Sequence, residues 1–305
     1  MTFDLLVVGD ANPDAVLSGA PADLPWGQRE RLVAGGALTL GGSAAITACG
    51  AARLGLRTAF AGRVGDDPAG RFCLDALRER GVDVTGCVVD PSVATALTVV
   101  LAGGDDRAIL TAPGCLPLLR IGDIGPVSAR HVHVSSYFLQ PRLAAGLPAW
   151  FAGLRDRGIT TSLDTNDDPS GRWDSGVADA IARTDIFLPN EAEALALTRT
   201  DDVLAAAEAL AASGGLVVVK RGAGGALAWA DGGPITVPGR PATPVDTVGA
   251  GDSFNAGFLA GHLGGADLTT SLRLAAACGA LSTRAAGGTA AQPTMTEIGT
   301  ETSTA

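Results

Sequence analysis

The sequence predicts an α/β/α sandwich with a mostly parallel central sheet and a small lid of β-strands. Short apolar runs alternate along the chain with longer segments whose apolar residues recur every three or four positions, as in amphipathic helices. Strands that alternate with helices form parallel sheets whose two faces are covered by helices. Residues 14–40 and 94–112 interrupt this alternation and therefore predict the lid.

The central strands are predicted from apolar runs that end at glycine or at polar residues. They are Asp4–Val8, Val132–Val134, Ile159–Leu163, Ile186–Leu188 and Leu216–Val219. The helices predicted between them are Ser43–Leu54, Ala69–Arg80, Leu143–Arg157, Asp202–Ala212 and Asp252–His262. Because neither a repeat nor a long linker separates these segments, we expect one domain over residues 1–298 and a frayed, Thr-rich tail over 299–305.

The predicted lid consists of short segments separated by clusters of Gly, Pro and Asp, a pattern closer to hairpins than to helical crossovers. These segments are Ala15–Leu17, Arg31–Leu40, Thr95–Leu101 and Arg107–Thr111. Short strands with exposed edges can pair with the strands of a second copy. The lid is therefore a candidate interface for a homodimer.

Composition and charge exclude several classes of partner. The chain of 305 residues has a net charge of −10 and a pI near 4.7, whereas nucleic acids and anionic membranes bind basic surfaces. No segment contains the roughly 18 uninterrupted apolar residues of a membrane span, and no basic region precedes the first apolar run. The five cysteines are scattered, which indicates free thiols in place of a disulfide framework or a zinc site. We expect a cytoplasmic protein that binds neither nucleic acid nor membrane.

The strongest functional signal is a glycine-rich turn, Gly249–Gly251, that leads directly into a predicted helix. In such a turn consecutive backbone N–H groups converge at the positive end of the helix dipole and form a site for an anion. Asp252 lies in the first helical turn, where its carboxylate can face the bound anion. An anion site beside a base suits phosphoryl transfer, in which positioning and charge neutralisation dominate catalysis. The alternative is a tight loop whose Asp252 only caps the helix.

The segment Asp246–Asp252, D-T-V-G-A-G-D, resembles the D-T-x-G-A-G-D signature of the ribokinase/PfkB carbohydrate kinases. The resemblance implies a ribokinase-like fold and transfer of the γ-phosphoryl group of ATP to a hydroxyl group of a sugar or sugar-like substrate. It also implies that Asp252 is the catalytic base and that the amides of Gly249, Ala250 and Gly251 stabilise the transferred group. The resemblance extends over nearly the whole chain.

Two segments near the N-terminus resemble the sugar-binding elements of the same family. Gly41 and Gly42 match the di-glycine turn beside the sugar, and Asn12 and Asp14 follow the first strand, where the family contacts sugar hydroxyls. Ile46 departs from the pattern because the family usually has Asn there, and Ile cannot donate a hydrogen bond. We therefore expect a substrate with a less polar group at this point than ribose or fructose has, such as a deoxy-sugar, a nucleoside or a substituted cyclitol.

Two further segments resemble the nucleotide-binding elements of the family. Asn190 and Glu193 lie in a P-N-x-x-E motif, which implies contacts with the nucleotide phosphates and, through water, between Glu193 and Mg²⁺; a helix cap with an acidic first turn is the alternative. Lys220, Gly222 and Gly225 lie where a strand runs into a glycine loop, which in the family lies against the nucleotide. For Gly224 and Gly225 a plain hairpin turn into Ala226–Ala230 explains the pattern equally well.

A third resemblance concerns a monovalent cation. Asp246, Val248 and Thr294 match positions that bind K⁺ in those family members that potassium activates. A simple turn residue is the alternative for Asp246. The cofactors implied are thus ATP and Mg²⁺, with K⁺ as a further candidate.

Two pairs of polar residues give weaker signals. His131 and His133 alternate along a strand and share a face, which suits either a metal pair or packing histidines; packing is favoured because no third ligand lies nearby. Asp164 and Asn166 follow the strand Ile159–Leu163 at its carboxyl end, where open α/β sheets bind ligands. They have either a role beside the phosphates or a place in a simple turn.

Other nucleotide-binding architectures are excluded by missing motifs. A P-loop needs Lys followed by Ser or Thr, but the only lysine, Lys220, is followed by Arg221. A dinucleotide-binding fold needs G-x-G-x-x-G after the first strand, which the sequence lacks. Two alternatives remain, a nucleoside kinase of the same superfamily and a non-catalytic relative that senses a sugar or a nucleotide. The intact Asp252 argues against the second.

Overall fold

The computed structural model describes residues 2–103, 106–230 and 232–302. Its strands are, in chain order, β1 Phe3–Val8, β2 Asn12–Ser18, β3 Gly35–Gly41, β4 Thr58–Ala61, β5 Arg63–Gly65, β6 Val88–Asp90, β7 Leu97–Gly103, β8 Asp106–Ala112, β9 Ala129–Val134, β10 Thr160–Leu163, β11 Ile186–Phe187, β12 Leu216–Lys220, β13 Ala226–Ala230 and β14 Gly233–Val237. Its helices are α1 Ser43–Arg53, α2 Pro68–Glu79, α3 Pro141–Ala144, α4 Leu147–Arg155, α5 Val177–Ile181, α6 Glu191–Thr198, α7 Val203–Ala211, α8 Ala250–Leu263, α9 Leu268–Ser282 and α10 Met295–Thr302. Among these described helices, none has the length and apolar character needed to cross a membrane.

The centre of the described structure is a sheet of eight strands in the order β14-β13-β12-β11-β10-β9-β1-β4. The strands from β12 to β4 are parallel, and β13 and β14 extend the sheet in antiparallel pairing. Most residues of the parallel strands are buried, as expected for strands covered on both faces. Their carboxyl ends lie along one edge, which is where folds of this type bind ligands.

Helices cover both faces of this sheet, and each face has its own apolar core. Along β1, Leu5 and Val7 pack with residues of α1, α2, α8 and α9, whereas Leu6 and Val8 pack with residues of α3 to α7. The two-residue alternation of a strand explains this division. The predicted α/β/α sandwich is confirmed.

The lid is a separate sheet of four strands in the order β3-β2-β7-β8, formed by the two segments that interrupt the alternation. Cross-strand pairing places Asp14, Thr98 and Thr111 on one face, here called the inner face, where Asp14 and Thr98 are buried. The same register places Leu38 and Leu110 on the opposite, outer face, where both are more than half exposed. The inner face of the lid thus carries both polar and apolar side chains, whereas the outer face is apolar.

The structure differs from the predicted elements at three places. The predicted helix Leu143–Arg157 is divided into α3 and α4, because Pro148 in the first turn of α4 lacks the N–H group that a continuous helix requires. The predicted strand Arg31–Leu40 begins only at Gly35. The tail expected from residue 299 starts within α10, and residues 303–305 lie outside the described residues.

Candidate active site

A cavity of about 680 Å³ opens at the carboxyl ends of the parallel strands. Its walls come from the ends of β10 and β12, the start of α6, the start of α8 with the loop before it, α9 and one strand of the lid. The predicted site residues that line it are Asn190, Glu193, Lys220, Gly222, Gly225, Gly249, Ala250, Gly251 and Asp252. It is also lined by Arg107, Asp164, Asn166, Arg240 and Thr247.

The glycine-rich turn and the start of α8 form one wall of the cavity. Gly249 has a left-handed backbone with φ 71°, and a Cβ atom there would lie 2.6 Å from the Cα atom of Gly288, so this position requires glycine. Helix α8 begins at Ala250, which leaves the N–H groups of its first turn without partners in the helix. Asp252 lies in this same turn and is 7% exposed. The structure thus brings the predicted anion site and the predicted base together.

Asp252 lies beside a buried polar cluster formed by Asp164, Lys220 and Asn255. The Nζ atom of Lys220 donates to Oδ2 of Asp164 at 2.5 Å and to Oδ1 of Asn255 at 3.4 Å. The Nδ2 atom of Asn255 donates to the same Asp164 oxygen at 2.5 Å. A Cβ atom at Gly251 would lie 3.7 Å from the Nζ atom of Lys220, so the ammonium group lies next to the glycine turn.

Burial and neighbouring charges shift the pKa values of Asp252 and Lys220. Burial raises the pKa of Asp252 well above the usual range, and the negative charge of Asp164 adds to the shift while Lys220 opposes it. Burial also acts to lower the pKa of Lys220, but Asp164 and Glu193 outweigh it and hold that pKa above its ordinary value. A carboxylate with a raised pKa accepts a proton more readily, as a general base must.

Asn190 and Glu193 form a capping box at the start of α6 and also line the cavity. The side-chain oxygen of Asn190 accepts from the N–H of Glu193 at 2.9 Å, and the Glu193 carboxylate accepts from the backbone N–H and Nδ2 of Asn190 at 2.8 and 2.6 Å. Burial raises the pKa of Glu193 to about 7, and the charge of Asp164 adds to the shift. The helix-cap interpretation is confirmed, and the metal role stays a prediction.

The loop after β12 fits both interpretations of its glycines. Residues Gly222–Gly224 form a short 3-10 turn, and this turn joins β12 to β13 as an antiparallel hairpin. Gly222 and Gly225 also line the cavity, together with Lys220 from the end of β12. The hairpin is confirmed, and the contact with a nucleotide stays a prediction.

The predicted substrate residues lie where the lid meets the main sheet. The Nδ2 atom of Asn12 donates to Oδ1 of Asp14 at 2.8 Å and to Oγ1 of Thr98 at 3.0 Å. A Cβ atom at Gly41 would collide with the Asp14 carboxylate, so this position also requires glycine. Burial raises the pKa of Asp14 to about 7, and the nearby charge of Asp10 adds to the shift. The contact of Asn12 and Asp14 with substrate hydroxyls stays a prediction.

Asp10 fixes the start of α1 beside the same region. Its carboxylate accepts from the backbone N–H groups of Ser43 and Ala44, both at 3.0 Å, and so supplies the cap that Gly42 has no side chain to provide. The Ser43 hydroxyl in turn accepts from Nδ2 of Asn166 at 2.6 Å. The di-glycine turn is therefore tied to the end of β10, on the cavity side of the sheet.

Ile46 lies in α1 with its side chain only 3% exposed. Cβ atoms at Gly249 and Gly288 would lie 3.1 and 2.5 Å from its methyl carbons, so Ile46 packs against the backbone of the glycine turn. This contact is not foreseen from the sequence. The influence of Ile46 on the choice of substrate stays a prediction.

Asp246 ties the glycine turn to the loop that contains Gly287. Its carboxylate accepts from the N–H groups of Val248 at 2.9 Å and of Gly287 at 2.8 Å. The hydroxyl of Thr294 donates to the Glu297 carboxylate at 2.8 Å, at the start of α10. Within residues 2–103, 106–230 and 232–302, no three His, Cys, Asp or Glu side chains group as metal ligands. A monovalent cation bound by Asp246, Val248 and Thr294 stays a prediction.

His131 and His133 are fully buried, and hydroxyl groups contact all four of their ring nitrogens. The Ser162 hydroxyl lies 2.7 Å from both Nε2 of His131 and Nδ1 of His133. Thr160 and Ser135 contact the two outer nitrogens at 2.7 and 2.9 Å. Burial lowers the pKa of both histidines, that of His133 to about 4. They are packing histidines, as the sequence favours.

Two residues of the site escape prediction from the sequence. Asn255 follows Asp252 by three positions, a spacing that places both on one helix face and that could have indicated it. Arg107 belongs to the lid and contacts Thr247, 140 residues away, and no motif marks it. Asp164, with only a weak signal, turns out to join Lys220 to Asn255.

Comparison with known proteins identifies the family of this chain. The family model described as pfkB family carbohydrate kinase matches residues 3–295. The chain belongs to this family. A fructokinase of Klebsiella pneumoniae is 34% identical over 83% of this chain and 88% of that protein.

Solved kinases share the fold of this pfkB-family chain. A fructokinase of Vibrio cholerae, solved with fructose, ADP and calcium ion, has a TM-score of 0.82 at 29% identity, over 98% of both chains. A ribokinase of Arabidopsis thaliana, solved with ribose and ATP, has a TM-score of 0.83 at 25% identity, also over 98% of both chains. The protein is thus a carbohydrate kinase with a ribokinase-like fold.

Proposed function

We propose that this enzyme transfers the γ-phosphoryl group of ATP to a hydroxyl group of a sugar or sugar-like substrate, with Asp252 as the base. The observation that carries the proposal is the position of Asp252, buried in the first turn of α8 directly after Gly249–Gly251 and beside the ammonium group of Lys220. The relatives solved with fructose and ADP and with ribose and ATP support it.

The side chains around Asp252 suit an in-line transfer. As the substrate oxygen bonds to the γ-phosphorus, the bond from that phosphorus to the β-phosphate oxygen breaks and ADP leaves. Asp252 takes the hydroxyl proton, which its raised pKa favours. The amides of Gly249, Ala250 and Gly251 stabilise the negative charge of the transferred group, and Lys220 adds positive charge beside them.

Glu193 in the cavity and Asp246 near it are the carboxylates that would hold metal ions. Glu193 offers a buried carboxylate with a raised pKa, which gains from a nearby cation, and it would hold Mg²⁺ through water because this ion keeps much of its hydration shell. When bound, Mg²⁺ neutralises negative charge on the phosphates. Asp246, which joins two loops beside the glycine turn, would bind K⁺ together with Val248 and Thr294.

The substrate we propose is a sugar with at least one apolar or substituted position. Asn12 and Asp14 offer hydrogen-bonding groups for hydroxyls on the inner face of the lid. Ile109 lies on the same face and is 55% exposed, so it offers an apolar surface to a less polar group. A nucleoside kinase is the second candidate, because a nucleobase could occupy this apolar surface.

The test is an ADP-release assay at fixed ATP and Mg²⁺ with fructose, ribose, deoxyribose, cyclitols and nucleosides. Asp252→Asn protein, purified in parallel, measures contaminating kinases and serves as the control. We expect kcat/KM of at least about 10⁴ M⁻¹s⁻¹ with one of the sugars. Preference for a nucleoside would support the second candidate, and release no faster than the control with every compound would contradict the proposed function.

We also propose a homodimer through the outer face of the lid. This face carries the apolar residues Leu17, Leu38, Leu97, Val99, Leu101 and Leu110. Contiguous exposed apolar surface of this kind is typical of protein interfaces. We expect light scattering to give about twice the chain mass of 30.4 kDa, and Leu38→Glu to give monomers. Leu204→Glu, on α7, is the control because Leu204 is also partly exposed but lies outside the lid. A monomeric wild type would contradict the proposal.

A further inference from the structure

Ile46 packs between two glycine segments of the site. A Cβ atom at Gly249 would lie 2.6 Å from the Cα atom of Gly288 and 3.1 Å from Cγ2 of Ile46. A Cβ atom at Gly288 would lie 2.5 Å from Cδ1 of Ile46. The two backbones are therefore in direct contact, and Ile46 contacts each of them with a different methyl group.

The backbone around Ile46 is itself tied to the start of α8. The Nε2 atom of Gln292 donates to the carbonyl oxygen of Ile46 at 2.9 Å and to Oγ of Ser253 at 3.1 Å. The hydroxyl of Thr47 donates to the carbonyl oxygen of Asp252 at 3.4 Å. Because these bonds hold α1 against α8, the side chain of Ile46 has a fixed position beside the glycine turn.

The glycine turn needs support from outside because it has few side chains of its own. Glycine adopts positive and negative φ about equally readily, so nothing within Gly249 itself holds its φ of 71°. The direction of the N–H groups that follow depends on this conformation, and a misplacement of about 1 Å can cost about 10²-fold in rate. The β-branched side chain of an isoleucine has one strongly preferred χ1 rotamer in a helix, which makes Ile46 a rigid support.

We propose that Ile46 is a positioning residue: its two methyl groups hold Gly249 against Gly288 and thereby fix the N–H groups of the anion site relative to Asp252. The proposal rests on the proposed function, because it assigns the transferred phosphoryl group to this anion site. The side chain is only 3% exposed, so it acts on the site and not on the sugar. A substitution should therefore affect all sugar substrates alike, in contrast to the substrate contact that the family pattern implies for this position.

Three substitutions separate the two methyl contacts of Ile46. Ile46→Val keeps Cγ2, which contacts Gly249, and loses Cδ1, which contacts Gly288. Ile46→Leu keeps the side-chain size but loses the methyl group on Cβ, and Ile46→Ala loses both contacts. Ile181→Ala is the matched control, because Ile181 is a buried isoleucine of α5 in the core on the opposite face of the sheet.

The first measurement is steady-state kinetics with the two best sugars of the panel, at a temperature below the thermal unfolding of every variant. We expect kcat to fall by about 10²-fold in Ile46→Ala and about tenfold in Ile46→Leu, and to stay within about threefold in Ile46→Val. KM for each sugar should stay within about twofold, since the lost interaction concerns the transferred group and not the bound sugar. Ile181→Ala should lower the midpoint of thermal unfolding and leave kcat within about twofold.

The second measurement is amide hydrogen exchange without any ligand, read by mass spectrometry on peptides that cover residues 246–256. In Ile46→Ala and Ile46→Leu we expect these peptides to exchange about tenfold faster than in the wild type, because the turn opens locally. In Ile46→Val and Ile181→Ala the exchange rate should stay within about twofold. This contrast needs neither nucleotide nor sugar, so it tests Ile46 even if the wild type phosphorylates none of the sugars, an outcome that would count only against the proposed function.

Three results would overturn the proposal. Unchanged exchange in Ile46→Ala would show that Ile46 does not hold the turn. Faster exchange with unchanged kcat would make the contact structural only. A changed preference between the two sugars would make Ile46 a substrate contact.

Discussion

Two buried polar clusters lie on the same face of the central sheet, and they differ in charge and in access to the cavity. The histidine cluster consists of Thr160, His131, Ser162, His133 and Ser135. The second cluster, here called the catalytic cluster because it contains the proposed base, consists of Asp164, Lys220, Asp252 and Asn255. Strand β10 joins them, because Ser162 and Asp164 are two positions apart and therefore point to the same face.

The difference between the two clusters indicates which buried polar groups can take part in catalysis. In the histidine cluster every ring nitrogen has a hydroxyl partner, and burial keeps both rings neutral because it lowers their pKa. In the catalytic cluster, charges remain after internal pairing, the pKa of Asp252 is raised, and Asp164, Lys220 and Asp252 line an open cavity. A satisfied network stabilises the fold, whereas a cluster with residual charge beside a cavity can act on a ligand.

Substitution of Asp252 should give the largest effect on turnover. Asp252→Asn preserves the shape of the side chain but cannot accept the hydroxyl proton, so we expect kcat to fall by about 10²–10⁴-fold. Calorimetry should show nearly unchanged ATP affinity. Thermal unfolding should show no loss of stability, because burial disfavours the charged carboxylate. If kcat is retained, Asp252 is not the base and the contrast between the clusters fails.

The pH dependence should report the coupling between Asp164 and Asp252. The base acts only when deprotonated, so kcat/KM falls as pH falls through the pKa of Asp252. Asp164→Asn removes a negative charge that raises this pKa. The acid limb should therefore move to lower pH. Asp75→Asn, an exposed carboxylate of α2, is the control and should leave the limb in place. If the limb does not move in Asp164→Asn, it belongs to another group, such as Glu193 with its pKa of about 7.

The parts of the site that the sequence predicts are those encoded by local patterns. The turn at Gly249 and the proposed base, Asp252, are close in sequence, and so are Asn190 and Glu193 of the capping box. The pair Lys220–Asp164 is separated by 56 residues, and a contact between distant segments leaves no local pattern. Of the fold, the alternation of strands and helices is predictable for the same reason, whereas sheet order depends on pairings between distant strands.

Removal of the charge of Glu193 should give a smaller effect. Gln can still fill the capping box, so Glu193→Gln keeps the start of α6 while it removes the buried carboxylate. We expect the half-saturating Mg²⁺ concentration at fixed ATP to rise about tenfold. Glu191→Gln is the neighbouring control, since the Glu191 carboxylate pairs with Arg221. An unchanged Mg²⁺ titration in Glu193→Gln would leave Glu193 as a helix cap only.

The smallest effect on turnover should come from the centre of the histidine cluster. Ser162→Ala removes one hydroxyl and leaves Nε2 of His131 and Nδ1 of His133 without their partner. A buried polar group without a partner costs about 1–3 kcal/mol, so the free energy of unfolding in urea should fall by about that amount. Turnover should stay within twofold of the wild type, because the missing hydroxyl contacts no residue of the catalytic cluster.

The control for this prediction is Ser213→Ala, which removes an exposed hydroxyl and should change the free energy of unfolding by less than about 0.5 kcal/mol. Asp252→Asn and Ser162→Ala test the comparison from both sides. Asp252→Asn should lose turnover without losing stability, whereas Ser162→Ala should lose stability without losing turnover. A large fall of kcat in Ser162→Ala, at a temperature where the variant stays folded, would show that the histidine cluster is coupled to the reaction. Access to the cavity would then no longer distinguish catalytic from structural polar clusters in this enzyme.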